Sequence, residues 1–148
     1  MRVASGLTGL MIQLAFATTA WGSPETDYML HCQGCHLPDG AGTRGSVPLL
    51  AGSIARFATL EEGREYLVRV PGSSMSSLDD AALADVLNWM IVRFGPPEDA
   101  ARAVPFTPDE VRRTRNPPLT AVEPLRSELL QKLEARLQSP SVAAGRQP

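Results

Sequence analysis

Five consecutive residues, Cys32-Gln33-Gly34-Cys35-His36, define the chemistry this chain can do. Two thiols three positions apart on a helical turn can each add across one vinyl group of a porphyrin. The adjacent imidazole is then held beneath the iron, so Cys-x-x-Cys-His is the attachment sequence for c-type haem. Cys32 and Cys35 are the expected covalent anchors and His36 the expected axial ligand of one haem, and the expected work is movement of electrons. A bare Cys-x-x-Cys also occurs in redox dithiols and zinc sites. A thioredoxin-like dithiol wants a preceding strand, whereas residues 25–31 carry no β-branched alternation, only Thr26. Structural zinc needs four tetrahedral ligands, and His31, Cys32, Cys35 and His36 crowd six consecutive positions with no second pair elsewhere.

Haem of this kind is attached outside the cytoplasm, which calls for an export sequence. Arg2 precedes an apolar stretch over residues 3–20, and Thr18-Thr19-Ala20 offers small residues where a signal peptidase reads. A signal peptide over residues 1–20, cut after Ala20, predicts a periplasmic or secreted protein. A retained anchor is the other possibility, but Ser5, Thr8, Gln13, Thr18 and Thr19 make the stretch polar for a span of about 20 apolar residues. Membrane attachment would follow only if this segment is kept. With both cysteines used by haem, none remains for a disulfide framework.

The chain has 148 residues and a formal charge of −2, room for one domain with extensions. Charge is uneven: residues 23–95 carry five Arg against nine Asp and Glu, while residues 96–148 carry eight Lys and Arg against seven acids. No basic stripe suits nucleic acid, and the acidic part favours a partner with a positive docking patch.

The elements that must position the motif can be read on either side of it. Ser23-Pro24-Glu25 has the form of an N-cap, a first-turn proline and an acid suited to the helix dipole, opening a helix through Tyr28 and Leu30 that delivers the chain to Cys32. Residues 37–52, with Gly40, Gly42, Gly45, Gly52, Pro38 and Pro48, read as loop passing close to a large ligand. Thr59-Leu60-Glu61-Glu62 has the form of a capping box and starts a short helix that stops at Val70-Pro71-Gly72; residues 73–77 are loop. The strongest helix has Asp79 and Asp80 in its first turn and Leu83, Val86, Leu87, Met90, Ile91 and Phe94 at helical spacing before Gly95-Pro96-Pro97. Three helices on glycine-rich loops make a thin apolar core. A buried porphyrin face would add to it at about 25 cal/mol per Å².

Residues 23–95 resemble a small class I cytochrome c domain. The resemblance is carried by the Tyr28 helix leading into Cys32-Gln33-Gly34-Cys35-His36, by Gly40-Ala41-Gly42, by Val47-Pro48-Leu49-Leu50-Ala51-Gly52 and by a final helix containing Trp89. It implies an all-α fold around a covalently bound haem. In that family the iron is bound by the motif His and usually by a Met from a late loop, which implies His36 and Met75 here. A loop proline carbonyl receives the proximal imidazole proton, which implies Pro48; such a bond fixes the ring and tunes the iron. Of the other methionines, Met11 leaves with the signal, Met29 sits on the helix that carries the motif, and Met90 belongs to an apolar stripe. The family commonly has Pro directly after the ligand Met, and Ser76 stands there in this chain. No nucleophile and base pair is evident. His31 precedes Cys32 on the segment of His36 and reads as a surface residue. Arg44, Arg56, Arg64 and Arg69 read as solvated surface, although any could pair with a propionate.

Beyond Gly95 prolines punctuate the chain to Pro148. Residues 96–148 form an extension in which Thr107-Pro108-Asp109-Glu110 starts one short helix and a second begins near Pro124. The second helix places Leu125, Leu129, Leu133 and Leu137 on one stripe with Glu128 and Lys132 paired on its flank, and residues 139–148 read as disordered. The stripe packs on the haem domain, docks a partner, or belongs to a loose tail. The function predicted is a monohaem carrier between exported redox proteins, from a dehydrogenase donor towards an oxidase or other acceptor. Two alternatives stand beside it: a haem enzyme or gas-binding sensor with an open distal iron position, and a dedicated haem subunit of a larger oxidoreductase.

Overall fold

The computed structural model describes residues 22–138, so the signal peptide expected over residues 1–20 and the tail expected over 139–148 lie outside the described residues. Among them the regular structure is helical, with loops between and a single bridge joining Thr43 and Val47. The chain is all-α, and among the described residues no helix is long and apolar enough to cross a membrane.

Helix α1 (Pro24–His31) begins where the cap chemistry puts it: the Ser23 hydroxyl accepts from the Thr26 amide, and Pro24 occupies the first turn. Cys32 breaks the α geometry, and α2 (Gln33–His36) continues as one turn ending at Leu37, whose φ of 62° turns the chain sharply away. The Tyr28 hydroxyl fastens that turn by donating to the Leu37 carbonyl at 2.5 Å. Tyr28 is also the centre of an aromatic cluster, with ring centroids 5.3 Å from Trp89 and 5.2 Å from Phe94. The motif is thereby seated on α6 (Asp80–Phe94), capped by the Asp79 side chain on the Ala82 amide.

Between them the chain forms α3 (Ile54–Ala58), α4 (Glu61–Arg69) and the single turn α5 (Pro71–Ser74). The sequence reading missed α3, which is short and nearly all buried, without the polar face that marks a longer helix. It also placed the start of α4 at a capping box. Instead the Thr59 hydroxyl donates back to the Arg56 carbonyl at 2.7 Å, closing α3, and α4 starts after Leu60 with no side-chain cap. A competing carbonyl one turn upstream captures a hydroxyl as readily as a downstream amide does.

The extension adds α7 (Pro97–Ala100), α8 (Pro108–Thr114) and α9 (Val122–Gln138). It contains three helices where the sequence suggested two, and its apolar residues do not form a separate layer. Phe106, Val111 and Leu129 are as buried as any residue of the earlier part, in one cluster with Phe57, Leu67 and Leu87. The leucine stripe of α9 packs inward, with Leu129 fully buried, Leu125 and Leu133 partly so, and Leu137 exposed. Lys132 pairs with Glu62 of α4 at 2.7 Å, across elements, where the sequence suggested Glu128 on its own helix.

Arginines fasten the two parts together. Arg64 donates to both carboxylate oxygens of Glu110, at 2.7 and 2.6 Å, and its guanidinium carbon lies 4.0 Å from the Phe106 ring centre. Arg56 holds the buried Asp99 at 3.1 Å, and Arg69 donates to the Pro117 carbonyl at 3.0 Å. Three arginines expected to be solvated are therefore cross-links. Asn88 of α6 completes the seam by pairing with both backbone groups of Phe106, at 3.0 and 2.7 Å. Buried peptide groups need such partners, and a side-chain amide supplies a donor and an acceptor together.

Candidate haem site

A cavity of about 450 Å³ lies among α2, the loop after it, α3, α4, α6 and the first two turns of α9. Cys32, Cys35 and His36 form one wall because a single turn of helix brings all three side chains to the same side. Neither cysteine is in a disulfide. Burial pushes the Cys32 thiol up to about 11, helped by the charges of Asp27 and Cys35, so it is a protonated thiol at neutral pH. That is the reverse of the depressed pKa that activates a redox dithiol.

Leu50, Ile54, Phe57, Leu67, Leu87 and Met90 also line the cavity, an apolar surface assembled from the loop, α3, α4 and α6. Met90 thus belongs to the cavity as well as to the stripe of α6. Pro48 lines the cavity, positioned by a tight loop in which Gly42 has φ +67° and a side chain would collide with the Val47 and Pro48 carbonyls. Burial lowers the His36 pKa most; the Pro48 carbonyl opposes this and Arg126 adds to it. The net direction keeps the imidazole neutral, the form that can ligate a metal. Nδ1 of His36 is buried without a hydrogen-bond partner, although the Pro48 backbone is near enough to act on its charge.

Two α9 residues complete the cavity, and sequence reasoning identified neither. Val122 closes one side, and Arg126 lies over Phe57, 5.2 Å from the ring centre. Burial raises the Tyr66 phenol while the neighbouring Arg126 pulls it part-way back. Arg126 is thus a cation facing an otherwise apolar space. The leucine stripe indicated that α9 packs somewhere, but no local pattern says which arginine then enters a cavity.

Cys32, Cys35, His36 and Pro48 therefore converge on one space. Met75 does not line it: it follows α5, two residues after the lining residue Ser73, and its side chain is 72% exposed. His31 is exposed at the rim.

Comparison with known proteins accords with this arrangement. Cytochrome c-552 of Thermus thermophilus is 35% identical over 107 residues, taking in 60% of this chain and 82% of the relative. A second Cytochrome c-552, from a particular strain of that organism, matches at 35% identity over 107 residues and 72% of its length. The chain belongs to the class I c-type cytochromes. No family model matches it, and no solved structure does.

Haem c is accordingly its covalent cofactor, and this cytochrome is a monohaem electron carrier working with redox partner proteins. The residues present fit the group. Largely apolar walls of this extent need something to pack against, because protein interiors tolerate few voids larger than a water molecule. The two thiols lie on the wall with the imidazole, and one cation is available for carboxylates that would otherwise enter an apolar space unpaired.

Proposed function

We propose that Cys32 and Cys35 anchor the haem, that His36 is the proximal ligand and Met75 the distal one, and that the protein carries electrons outside the cytoplasm from a dehydrogenase towards an oxidase or another acceptor. The observation that carries the reading is the shared wall: both thiols and a half-buried neutral imidazole on one turn, lining one cavity together with a largely apolar set of side chains. Bound there, haem supplies a centre that takes up and gives back one electron.

The chain's own part is to hold and to exclude. Leu50, Ile54, Phe57, Leu67 and Leu87 keep water from the space, which limits how much the surroundings rearrange when charge changes. Pro48 takes the Nδ1 proton of His36 after a small rotation of the ring, fixing the orientation in which Nε2 faces the cavity. Arg126 meets carboxylates of the prosthetic group. Met75 turns its thioether inward by side-chain rotation, since residues 70–73 of the same segment already line the cavity. Filling both axial positions excludes small molecules, which suits a carrier more than a catalyst.

Absorption spectra of the mature protein, oxidised, reduced and treated with carbon monoxide, test this. The expected pigment resists acid acetone, the oxidised form has the weak band of sulfur-bound ferric haem, and the reduced form takes up carbon monoxide slowly. Met75→Ala removes the band and lowers the potential. One observation favours a second reading, the 72% exposure of Met75: with the thioether left outside, the distal position is open, and fast, tight carbon monoxide binding to the unmodified protein would establish an enzyme or gas sensor instead.

A further inference from the structure

The segment carrying Met75 is fastened from outside the part of the chain it belongs to. Arg115, in the turn after α8, sends its guanidinium back across the seam: Nε donates to the Ser74 carbonyl at 3.0 Å, Nη1 to the Leu78 carbonyl at 2.7 Å, and Nη2 to the Ser76 carbonyl at 2.6 Å. The remaining contacts are the Ser76 hydroxyl at 3.2 Å and Asp80 Oδ1 at 3.4 Å. An arginine has five N–H donors in a rigid planar fork, and here each has a partner on residues 74–80. The side chain is 11% exposed.

The residues flanking Met75 on both sides, Ser74 and Ser76, are thus held through their carbonyls, while the Met75 side chain is left untouched. The root of the clamp is equally firm: the Arg115 amide donates to the Val111 carbonyl at 2.8 Å, and Val111 is fully buried. The loop's own bonds are those of one turn, the Met75 amide to the Pro71 carbonyl at 3.0 Å and the Ser76 amide and hydroxyl to the Ser73 carbonyl at 3.3 and 2.9 Å, and a single exposed turn opens readily unless something outside it holds the chain. Fixing the carbonyls on either side of one residue leaves only its side-chain torsions to be settled.

We propose that Arg115 is a positioning residue for the distal axial ligand, so that the C-terminal extension sets the coordination at the iron without touching it. The proposal rests on the assignment of Met75 as that ligand. Arg115 restrains the backbone directly at Ser76.

The experiment compares haem-loaded Arg115→Gln, Arg115→Lys, Ser76→Ala, Leu129→Ala and Met75→Ala by the sulfur–ferric haem band and by the rate of carbon monoxide binding to reduced protein, with urea unfolding as a check on the fold. Arg115→Gln is expected to lose most of the band and to bind carbon monoxide roughly tenfold faster. Arg115→Lys, a point charge that cannot span three carbonyls, should fall between it and the unmodified protein, and serves if the Gln variant does not fold. Ser76→Ala keeps the carbonyl but loses the hydroxyl contact, and should change both readouts less than Arg115→Lys does. Leu129→Ala, in the core on a helix that makes none of the Arg115 contacts, should lower the urea midpoint and leave the band, which separates positioning from general stability. A full band and an unchanged carbon monoxide rate in both Arg115 variants overturn the clamp while Met75→Ala still abolishes the band. A band that survives Met75→Ala overturns the ligand assignment and the clamp with it.

Discussion

The two sides of the cavity are held by different means. The wall with Cys32, Cys35 and His36 is made by neighbours in sequence: backbone bonds from Cys35 and His36 to the Cys32 carbonyl at 3.2 and 3.0 Å, and the Tyr28 hydroxyl nine positions from its acceptor Leu37. The segment with Met75, which continues from the lining residues 70–73, is held by Arg115, some forty positions away, and Val122 and Arg126 of α9 complete the lining. One side is a local device that would keep its shape in many folds, and the other exists only when the C-terminal extension has docked. The attachment chemistry is therefore robust, and the part that tunes the iron depends on the whole chain.

Removing the local device has the largest expected effect. Cys32→Ser with Cys35→Ser abolishes covalent attachment altogether, read as pigment lost to acid acetone. Next is loss of the extension: ending the chain after Gly95 exposes the partners of Phe106, Val111 and Leu129, at about 1.5–3 kcal/mol for each side chain unburied. Against a domain's total of about 5–15 kcal/mol, the truncated haem-loaded protein should show no cooperative urea transition near that of the full chain. A truncated form as stable as the parent would mean that the extension is an ornament on a self-sufficient core.

A single cross-link is worth less. Arg64→Gln leaves Glu110 and the Val104 and Pro105 carbonyls without their partner at a seam where Arg64 is only 15% exposed, at a cost of about 1–3 kcal/mol, measurable as a lowered urea midpoint. The smallest effect belongs to the Lys132–Glu62 pair, which lies on the surface with both side chains about half exposed. Hydrogen bonding from Lys132 holds the Glu62 carboxyl below its ordinary 4.5. A depressed carboxylate contributes above its unfolded pKa and stops contributing as the pH falls through the folded one, so Glu62→Gln should slightly lower the melting temperature at neutral pH, with the difference from the parent vanishing in acid. Salt should erase it too.

What could be read from the sequence follows the same division. The motif, the Ser23 and Thr107 caps and the stripe of α6 all depend on residues within a turn or two of one another, and the structure has them where the spacing placed them. Arg56, Arg64 and Arg69 were misjudged because nothing beside an arginine in sequence says that its carboxylate or carbonyl partner lies more than forty positions on. Arg126 was missed for that reason, and Lys132 was given the wrong glutamate because an i,i+4 partner is visible in a sequence and a tertiary one is not. Met75 stood out as a loop methionine, but that its neighbours' carbonyls are pinned could be learned only from the docked turn after α8.

The position of Val122 and Arg126 along the chain has a bearing on biogenesis. They lie on α9, about ninety positions after the thiols, so until that helix docks Cys32 and Cys35 face a compartment with one side missing. An enzyme attaching the haem could reach both sulfur atoms in that interval, and docking of α9 would then close the compartment.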